Sequence, residues 1–326
     1  MQVVRDPLRS TDLPRGGVGT IGNFDGVHLG HRKILETVVA RARAVQRPSF
    51  AITFEPHPMV VLRPDQAPRR IQTLRQKEEA IEALGIDALL VVPFTRDFSL
   101  TEPEDFVRTL LRDRLGASEI LVGAHFAFGR GKRGDLALLE RFGAECGFSA
   151  SAVDEVQFGG SPVSSTRIRR ALERGSIVEA NGMLGRDYEL DGLVARGDRL
   201  GHQIGVPTIN LEPENELPPA DGVYVTEIEI RSFGRRFPSV SNIGRRPTLY
   251  EDYATTIETF VLDFSADVYG EKVRLFFLDR LREERKFPSM MDLKAQIQRD
   301  IAAARAYFER RSGSDGAATS AFSPEA

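Results

Sequence analysis

The sequence predicts two domains, an α/β domain built on a parallel sheet and an antiparallel β-barrel with a C-terminal helix. The chain has 326 residues, which is more than one hydrophobic core usually serves. Its first half alternates short apolar runs with amphipathic segments, as in a parallel sheet covered on both faces. After residue 184, strand-like runs follow one another across turn-rich connections, which is typical of a closed or sandwiched antiparallel sheet.

The first half contains predicted strands that alternate with predicted helices. The strands are expected in GVGTIGNF, SFAITF, DALLVVPF, EILVGAHF and SASAVDEVQF. The helices are expected in HRKILETVVARARAVQ, TLRQKEEAIEALG, TEPEDFVRTLLRDRLG, DLALLERFGAECG and STRIRRALERG. Leu35, Val38 and Ala42 fall on one face of the first helix. Gly85 is expected to cap the second helix, and Thr101 to be the N-cap of the third.

The second half contains predicted strands without intervening helices. The strands are expected in ELDGLVARG, GVYVTEIEI, FPSVSNIG, TIETFVLDF and KVRLFFLDRLR, and a long amphipathic helix is expected in MMDLKAQIQRDIAAARAYFERR. These assignments predict domains over residues 1–184 and 185–312. Residues 313–326 are small and polar, and we expect a disordered tail there.

The composition excludes several classes of protein. The formal net charge is −3, which gives no support to a nucleic-acid or membrane-surface partner. Cys146 is the single cysteine, so an internal disulfide is impossible. The charged N-terminus does not resemble a signal peptide, and the apolar runs are too short for a membrane span. We therefore expect a cytoplasmic protein that is a monomer or a weak homo-oligomer.

The stretch GNFDGVHLGH places two histidines where a predicted strand hands over to a helix. Ligands of open α/β sheets bind at such strand ends, and the amides of a helix N-terminus attract phosphate. Gly26 and Gly30 allow a ligand to approach the backbone. His28 and His31 lie on the same side of a helical turn, where both imidazoles can donate hydrogen bonds to a phosphate. Metal binding by this pair would need ligands besides Asp25.

A second glycine pattern lies directly before this stretch. Gly17, Gly19 and Gly22 match G-x-G-x-x-G, but that fingerprint should follow a strand and open a helix. Here the last glycine is still within the predicted strand. We therefore do not interpret these glycines as a dinucleotide-binding turn.

Four stretches of the first half resemble one known family. GNFDGVHLGH contains the H-x-G-H that marks nucleotidyltransferases, and TFEPHP, FGRGKRGD and VSSTRIRRAL follow it in order. Together they resemble the bacterial bifunctional riboflavin kinase/FAD synthetase family. The resemblance implies a Rossmann-like nucleotidyltransferase domain with His28 and His31 as catalytic residues. It implies nucleotide or phosphate binding by Gly22, Asn23, Phe24, Asp25, Gly26, Gly30, Ser164, Ser165, Thr166 and Arg169, and flavin binding by Pro56, His57, Pro58, His125 and Phe128.

The second half resembles the kinase module of the same family. RLGHQIGVPTINL is similar to its glycine-rich stretch, and TIETFVLDF is similar to the stretch that carries its catalytic glutamate. The resemblance implies that Glu258 is the general base and that Thr208 and Asn210 are hard oxygen ligands of Mg²⁺. It further implies nucleotide binding by Gly201, Gly205 and Pro207, and flavin binding by Asn242 and Arg282.

Some positions depart from the family pattern. His125 stands where the family has Asp or Asn, His202 replaces an arginine, and Phe260 replaces a histidine. In GRDY, Asp187 stands where the family has proline. These departures leave Glu258 and the histidine pair in place.

The resemblance implies a bifunctional enzyme of flavin metabolism. The barrel would phosphorylate riboflavin with ATP, and the α/β domain would transfer AMP from ATP to FMN and release pyrophosphate, both with Mg²⁺. Riboflavin, ATP, FMN and FAD are then the small-molecule partners. Two alternatives remain, namely an enzyme that keeps one activity and a non-catalytic flavin-binding regulator. A cytidylyltransferase acting on another phosphorylated alcohol would leave the second domain without a purpose.

Overall fold

The computed structural model describes residues 1–195, 206–246 and 254–319. The chain packs as two compact units, Met1–Ser165 and Thr166–Ala326. The sequence instead predicts a boundary between residues 184 and 185. Packing does not define where one activity ends, so that functional division stays a prediction.

The first unit is built on six parallel strands. They are β1 (Gln2–Arg5), β2 (Val18–Ile21), β3 (Ser49–Glu55), β4 (Ala88–Pro93), β5 (Glu119–Gly123) and β6 (Ser149–Val153). Their order across the sheet is β1-β4-β3-β2-β5-β6, and all pairs are parallel. A short hairpin of β7 (Gln157–Phe158) and β8 (Ser161–Pro162) follows.

Helices connect these strands. They are α1 (Leu29–Ala44), α2 (Pro58–Leu62), α3 (Leu74–Glu82), α4 (Pro103–Phe106), which continues as a π-helix over Val107–Arg114, and α5 (Leu136–Cys146). Alternate residues of the strands belong to two separate apolar clusters. Phe50 and Ile52 pack in one cluster, and Ala51 packs in the other. The predicted two-sided parallel sheet is therefore confirmed.

The glycines before the histidine pair make room for an aromatic ring. A Cβ at Gly19 would lie 2.1 Å from the Phe50 ring, and Phe50 is fully buried. Packing explains this glycine, in agreement with the sequence argument against a dinucleotide-binding turn.

The second unit is a closed antiparallel barrel with helices. Its elements are α6 (Ser165–Glu173), α7 (Ile177–Leu184), β9 (Tyr188–Ala195), β10 (Ile209–Pro213), β11 (Gly222–Ile230), β12 (Arg235–Arg246), β13 (Ala254–Val261), β14 (Lys272–Glu283) and α8 (Met290–Thr319). The strand order is β10-β13-β12-β11-β14-β9. The predicted barrel and C-terminal helix are confirmed.

Several local predictions need correction. The N-cap of α4 is Glu102, not Thr101, because Pro103 favours the first helical position. Helix α3 ends earlier than predicted, and Gly85 lies in the following turn with φ of 83°. Helix α8 reaches Thr319, inside the segment predicted to be a disordered tail, since adding residues to an existing helix costs little. The predicted elements did not include β1, β8, β10, α2 and α7, and β6 and β7 were predicted as one strand.

The barrel interior contains a buried chain of hydroxyl groups. Thr226 Oγ1 lies 2.8 Å from the hydroxyls of both Ser239 and Ser241, and Ser241 Oγ lies 2.8 Å from Thr259 Oγ1. These residues are at most 1% exposed. Each hydroxyl hydrogen-bonds a buried neighbour, and Ser241 is one of the two inner members that bond on both sides.

We expect Ser241→Ala to destabilise the barrel by about 1–3 kcal/mol, because it removes the partner of the buried Thr259 hydroxyl and one of the two partners of Thr226. The midpoint of thermal unfolding measures the effect. Ser232→Ala is the matched control, since Ser232 is an exposed serine of the same barrel. An unchanged midpoint in the Ser241 variant would show that the hydroxyl chain does not contribute to stability.

Candidate active sites

A buried carboxylate fixes the loop between β2 and α1. Asp25 is 4% exposed, and its carboxylate accepts backbone hydrogen bonds from Ile71 N (3.1 and 3.3 Å) and Gln72 N (3.4 Å). Thr53 Oγ1 donates to the Asn23 carbonyl at 3.2 Å. The loop is therefore tied to β3 and to the segment before α3.

The same loop holds strained backbone conformations. Phe24 and Val27 have φ of 48° and 37°, and Gly26 has φ of 89°. Positive φ is rare for a β-branched residue such as valine. Phe24 and Val27 are each 1% exposed, so core packing stabilises a loop shape that these residues disfavour. Strain of this kind often occurs at functional sites.

A buried lysine lies near the Asp25 carboxylate. Lys77 of α3 is 6% exposed. Burial lowers the pKa of Lys77, and the carboxylates of Asp25 and Glu55 oppose that shift. The positive charge of Lys77 thus partly compensates the negative charge of the Asp25 carboxylate.

The histidine pair lies at the start of α1, as predicted. His28 is the N-cap, and its Nδ1 accepts a hydrogen bond from His31 N at 3.3 Å. The two rings stack with centroids 3.7 Å apart and an interplanar angle of 16°. Phe24 contacts the His31 ring edge-on at 5.3 Å between centroids. The imidazoles are therefore held side by side at a helix N-terminus.

Val163 and Ser165, at the start of the signature stretch, lie beside this loop. Ser165 Oγ donates to the Asp25 carbonyl at 2.8 Å. A Cβ at Gly30 would lie 3.9 Å from the Val163 carbonyl oxygen. Ser164 precedes α6, and Thr166 and Arg169 lie on its first two turns. Their phosphate-binding roles stay predictions.

A cavity of about 620 Å³ opens next to the loop. Gly22, Asn23, His57 and Pro58 line it. Asn23 Nδ2 lies 3.3 Å from His57 Nε2, and His57 Nδ1 accepts from Met59 N at 3.2 Å as the N-cap of α2. Gly22 and Asn23, predicted for nucleotide binding, therefore line one cavity with His57 and Pro58, predicted for flavin binding. Pro56 is exposed, and neither His28 nor His31 lines that cavity.

Phenylalanines form a wall of this cavity, and of these the sequence analysis predicted only Phe128. Phe54 lies near the carboxyl end of β3, and Phe94 directly follows the neighbouring strand β4. Ligands of parallel sheets bind at such strand ends. Their position at the strand ends was the sequence signal that could have identified these residues as part of the site. The aromatic lining residues are Phe54, Phe94, Phe98, Phe106, Phe126 and Phe128.

His125 lies at the rim of the cavity. Its Nε2 is 3.0 Å from Glu155 Oε1, and its side chain is 88% exposed. Phe128, also predicted for flavin binding, lines the cavity and stacks on Phe126 with centroids 5.2 Å apart. Both residues are thus near the expected flavin side, and their roles stay predictions.

In the barrel, predicted site residues lie on one row across neighbouring strands. Glu258 of β13 is directly opposite Asn210 of β10 and Asn242 of β12. Asn242 is opposite Val223, which is opposite Arg282. Directly paired residues point to the same face of a sheet. The register therefore brings together the predicted base, a metal-ligand candidate and both flavin candidates.

This row lies on the outer face of the barrel, beneath α8. A cavity of about 360 Å³ is lined by Thr208, Asn242, Glu258 and Phe260 from the barrel side. Leu293, Ile297, Asp300 and Ile301 line it from α8. The spacing of these helical residues matches one helix face, and the sequence analysis did not connect that face to the site.

The helix holds Arg282 in place. The Arg282 guanidinium donates to the Asp300 carboxylate at 3.1, 3.1 and 2.8 Å. Gln296 Nε2 donates to Asp300 at 2.8 Å, and Arg285 donates to Gln296 at 2.6 Å. The predicted flavin-contacting arginine is therefore already paired by α8.

A second carboxylate borders the cavity. Partial burial raises the pKa of Glu284, and the carboxylates of Asp221 and Glu258 act in the same direction. The Asn242 side chain hydrogen-bonds Glu284 and opposes this shift. The sequence analysis did not predict Glu284, because this residue follows the predicted strand KVRLFFLDRLR.

Pro207 and Thr208 also line a neighbouring cavity of about 700 Å³, together with Phe264 and Tyr269. Thr208 therefore contacts two adjoining spaces, one of which contains Glu258. Gly201, Gly205 and His202 lie outside the described residues. Among the residues that the structure describes, no group of three or more His, Cys, Asp or Glu side chains forms a metal-binding cluster.

Two families match this chain. The FAD synthetase family matches residues 10–167, and the riboflavin kinase family matches residues 184–308. The first match contains the histidine loop and its cavity, and the second contains the Glu258 row. Between the two matches lie residues 168–183.

Relatives match over nearly the whole chain. The bifunctional riboflavin kinase/FMN adenylyltransferase of Escherichia coli K12 is 36% identical over 310 residues, covering 94% of this chain and 98% of the relative. The protein of the same name from Pseudomonas fluorescens is 38% identical, with 94% and 97% covered. That of Haemophilus influenzae is 33% identical, with 94% and 99% covered.

A solved structure has the same fold. The crystal structure described as a macrolide-efflux protein from Streptococcus pneumoniae gives a TM-score of 0.85 at 27% identity, covering 94% of this chain and 99% of that chain. Within the described ranges, no helix is both long and apolar enough to cross a membrane. The matched regions and the full-length relatives together show that this chain belongs to the family of bifunctional riboflavin kinases/FMN adenylyltransferases.

Proposed function

We propose that the chain makes FMN from riboflavin at the barrel and FAD from FMN at the α/β unit. One observation carries this proposal: each unit has its own cavity, and each cavity contains different chemistry. The barrel cavity has a carboxylate on a row with two amides. The α/β cavity is lined by Gly22 and Asn23, which lie on the loop that leads to a helix N-terminus with two stacked imidazoles.

The kinase reaction needs a base because its nucleophile is a neutral hydroxyl. The Glu258 carboxylate takes the proton of the riboflavin 5′-hydroxyl as that oxygen bonds to the γ-phosphorus of ATP. The bond from the γ-phosphorus to the bridging oxygen breaks, and ADP leaves. Asn210 and Asn242, on either side of Glu258, orient the carboxylate and the hydroxyl.

The residues of the barrel fit a bound Mg²⁺. Thr208 and Asn210 offer the neutral oxygen donors that suit a hard cation, and Mg²⁺ commonly takes few protein ligands beside substrate phosphates. Thr208 lies where two cavities adjoin. When bound, Mg²⁺ neutralises charge on the ATP phosphates.

The adenylyl transfer needs charge stabilisation and no base. The FMN phosphate is already an anion, and its oxygen bonds to the α-phosphorus of ATP while pyrophosphate leaves. His28 and His31 donate hydrogen bonds to the phosphate that gains charge, at the positive end of α1. Ser164, Thr166 and Arg169 add donors, and Asn23 lies near the triphosphate.

The retained chemistry favours an enzyme over a flavin-binding regulator. A protein that only binds flavin has no use for a base between two amides, or for paired imidazoles at a helix N-terminus. His125 and Phe260 keep positions on the cavities, which favours two activities over one. We further infer a cytoplasmic protein, as a monomer or weak homo-oligomer, that acts on small molecules alone.

The direct test uses the full-length chain. We expect incubation with riboflavin, ATP and Mg²⁺ to produce FMN and then FAD, measured by chromatographic separation of flavins. Accumulation of FMN without FAD would show that the chain has the kinase activity and lacks adenylyl transfer. Absence of both products would contradict the proposal.

Replacing Glu258 should separate the two activities. We expect Glu258→Gln to slow riboflavin phosphorylation by about 10²–10⁴, the usual contribution of a general base, and to leave FAD formation from supplied FMN unchanged. Glu309→Gln, at an exposed glutamate of the same unit, is the matched control. Normal kinase turnover in the Glu258 variant would reject the base assignment.

The histidine pair should show the opposite pattern. His28→Asn keeps an acceptor for the helix N-terminus but removes the imidazole. We expect it to slow adenylyl transfer by roughly 10²–10³, the scale for one lost donor, and to preserve kinase turnover. His31→Gln should act similarly. Unchanged FAD formation in both variants would rule out the phosphate role.

The metal assignment has its own measurement. Thr208→Val keeps the side-chain shape and removes the hydroxyl. We expect the Mg²⁺ concentration for half-maximal kinase rate to rise ~10-fold or more. Thr208→Ser, which restores the hydroxyl, should recover the wild-type value. Equal Mg²⁺ dependence in the valine and serine variants would remove Thr208 from the metal site.

A further inference from the structure

The loop Phe128–Gly134 beside the α/β cavity is closed on itself. Phe128 N donates to the Gly134 carbonyl and Gly134 N donates to the Phe128 carbonyl, each at 2.9 Å. Between these bonds, Gly129, Gly131 and Lys132 have φ of 69°, 64° and 58°. Lysine rarely adopts positive φ without support from its surroundings.

A neighbouring segment supplies that support. Arg130 N donates to the Thr101 carbonyl at 2.9 Å. A Cβ at Gly129 would lie 2.6 Å from Pro103 Cγ, so the loop backbone touches the segment directly. The loop is therefore docked on residues 101–103 rather than projecting into solvent.

Glu102, between those two contacts, binds both arginines of the loop. Its Oε1 accepts from Arg130 Nη1 at 3.2 Å, and its Oε2 accepts from Arg133 Nη1 at 3.1 Å. Each carboxylate oxygen thus holds one guanidinium. A single exposed ion pair contributes little, but one carboxylate shared by two arginines restrains the loop at two points.

The lysine between these arginines has a different environment. Lys132 lines the α/β cavity together with Gly129 and Gly131. Arg63 lines the same cavity from the end of α2. An anion in the cavity would therefore meet Lys132 while Arg130 and Arg133 stay on Glu102.

We propose that Glu102 is a positioning residue that holds Arg130 and Arg133 aside and directs Lys132 to a substrate phosphate in this cavity. The inference rests on the proposed adenylyl transfer. The ligand chemistry is a phosphate anion, which either FMN or ATP can supply. Without Glu102, the loop loses two anchors, and Lys132 is no longer directed to the anion.

The experiment compares Glu102→Gln, Lys132→Gln and the double variant in the full-length chain. We expect each single change to raise KM in FAD formation about threefold to tenfold, with a smaller change in kcat, since coupled neighbours interact on this scale. A higher KM for FMN alone assigns the phosphate to FMN, and a higher KM for ATP alone assigns it to ATP.

The double variant tests whether Glu102 acts through Lys132. We expect Glu102→Gln to have no further effect in the Lys132→Gln background. Multiplicative effects of the two changes would overturn the proposal, as would a KM within about twofold of wild type for both substrates in Glu102→Gln. Glu102→Asp keeps the charge and should recover part of the affinity.

Two controls separate positioning from loss of structure. Asp105→Asn removes an exposed carboxylate close to Glu102 and should leave both KM values unchanged. Riboflavin phosphorylation by the same preparations should also be unchanged, and an equal loss of kinase turnover in Glu102→Gln would overturn the proposal.

The proposed function can fail separately. If the wild-type chain makes no FAD from supplied FMN, adenylyl transfer is wrong, and the positioning role is judged by equilibrium titration with FMN and with ATP. Binding of FMN and ATP at the barrel is the same in all variants, so it does not affect the comparison. Weaker binding in Glu102→Gln and Lys132→Gln alike would support the role, and equal binding in all variants would overturn it.

Discussion

The α/β site depends on one buried carboxylate bound to backbone amides. Asp25 accepts hydrogen bonds from residues 71 and 72 and holds a loop in which Phe24 and Val27 adopt positive φ. Burying a charge is costly unless hydrogen bonds and opposite charge compensate it. The amides and the nearby Lys77 provide that compensation. The loop can then present the helix N-terminus and both imidazoles without reorganising when substrate binds.

In the barrel, the pairing register of the strands positions the candidate site residues. Antiparallel pairing puts Glu258 between Asn210 and Asn242 on one row, while the hydroxyl chain fills the interior. The row lies on the outer face of the barrel, where the cavity beside it would be open to solvent without a cover. Helix α8 provides this cover and contributes Asp300 to hold Arg282.

The two sites differ because their nucleophiles differ. A hydroxyl must lose its proton to attack, which requires a carboxylate in a shielded place. A phosphate is already ionised, so hydrogen-bond donors and cations suffice, and we propose that the N-terminus of α1 and the loop that carries Lys132 supply them. One chain can therefore join the two steps without sharing catalytic groups.

The sequence by itself determined the features that depend on neighbouring residues. Alternation of apolar runs predicted both sheets, and the period-two pattern put Glu258 and Phe260 on one face. Only tertiary structure decided contacts between distant segments, such as the aromatic cavity wall and the pairing of Arg282 with Asp300. One local effect was also predicted wrongly, because Pro103 and not Thr101 determines where α4 begins. Local patterns define which face a residue occupies, but chain packing selects its partner across that face.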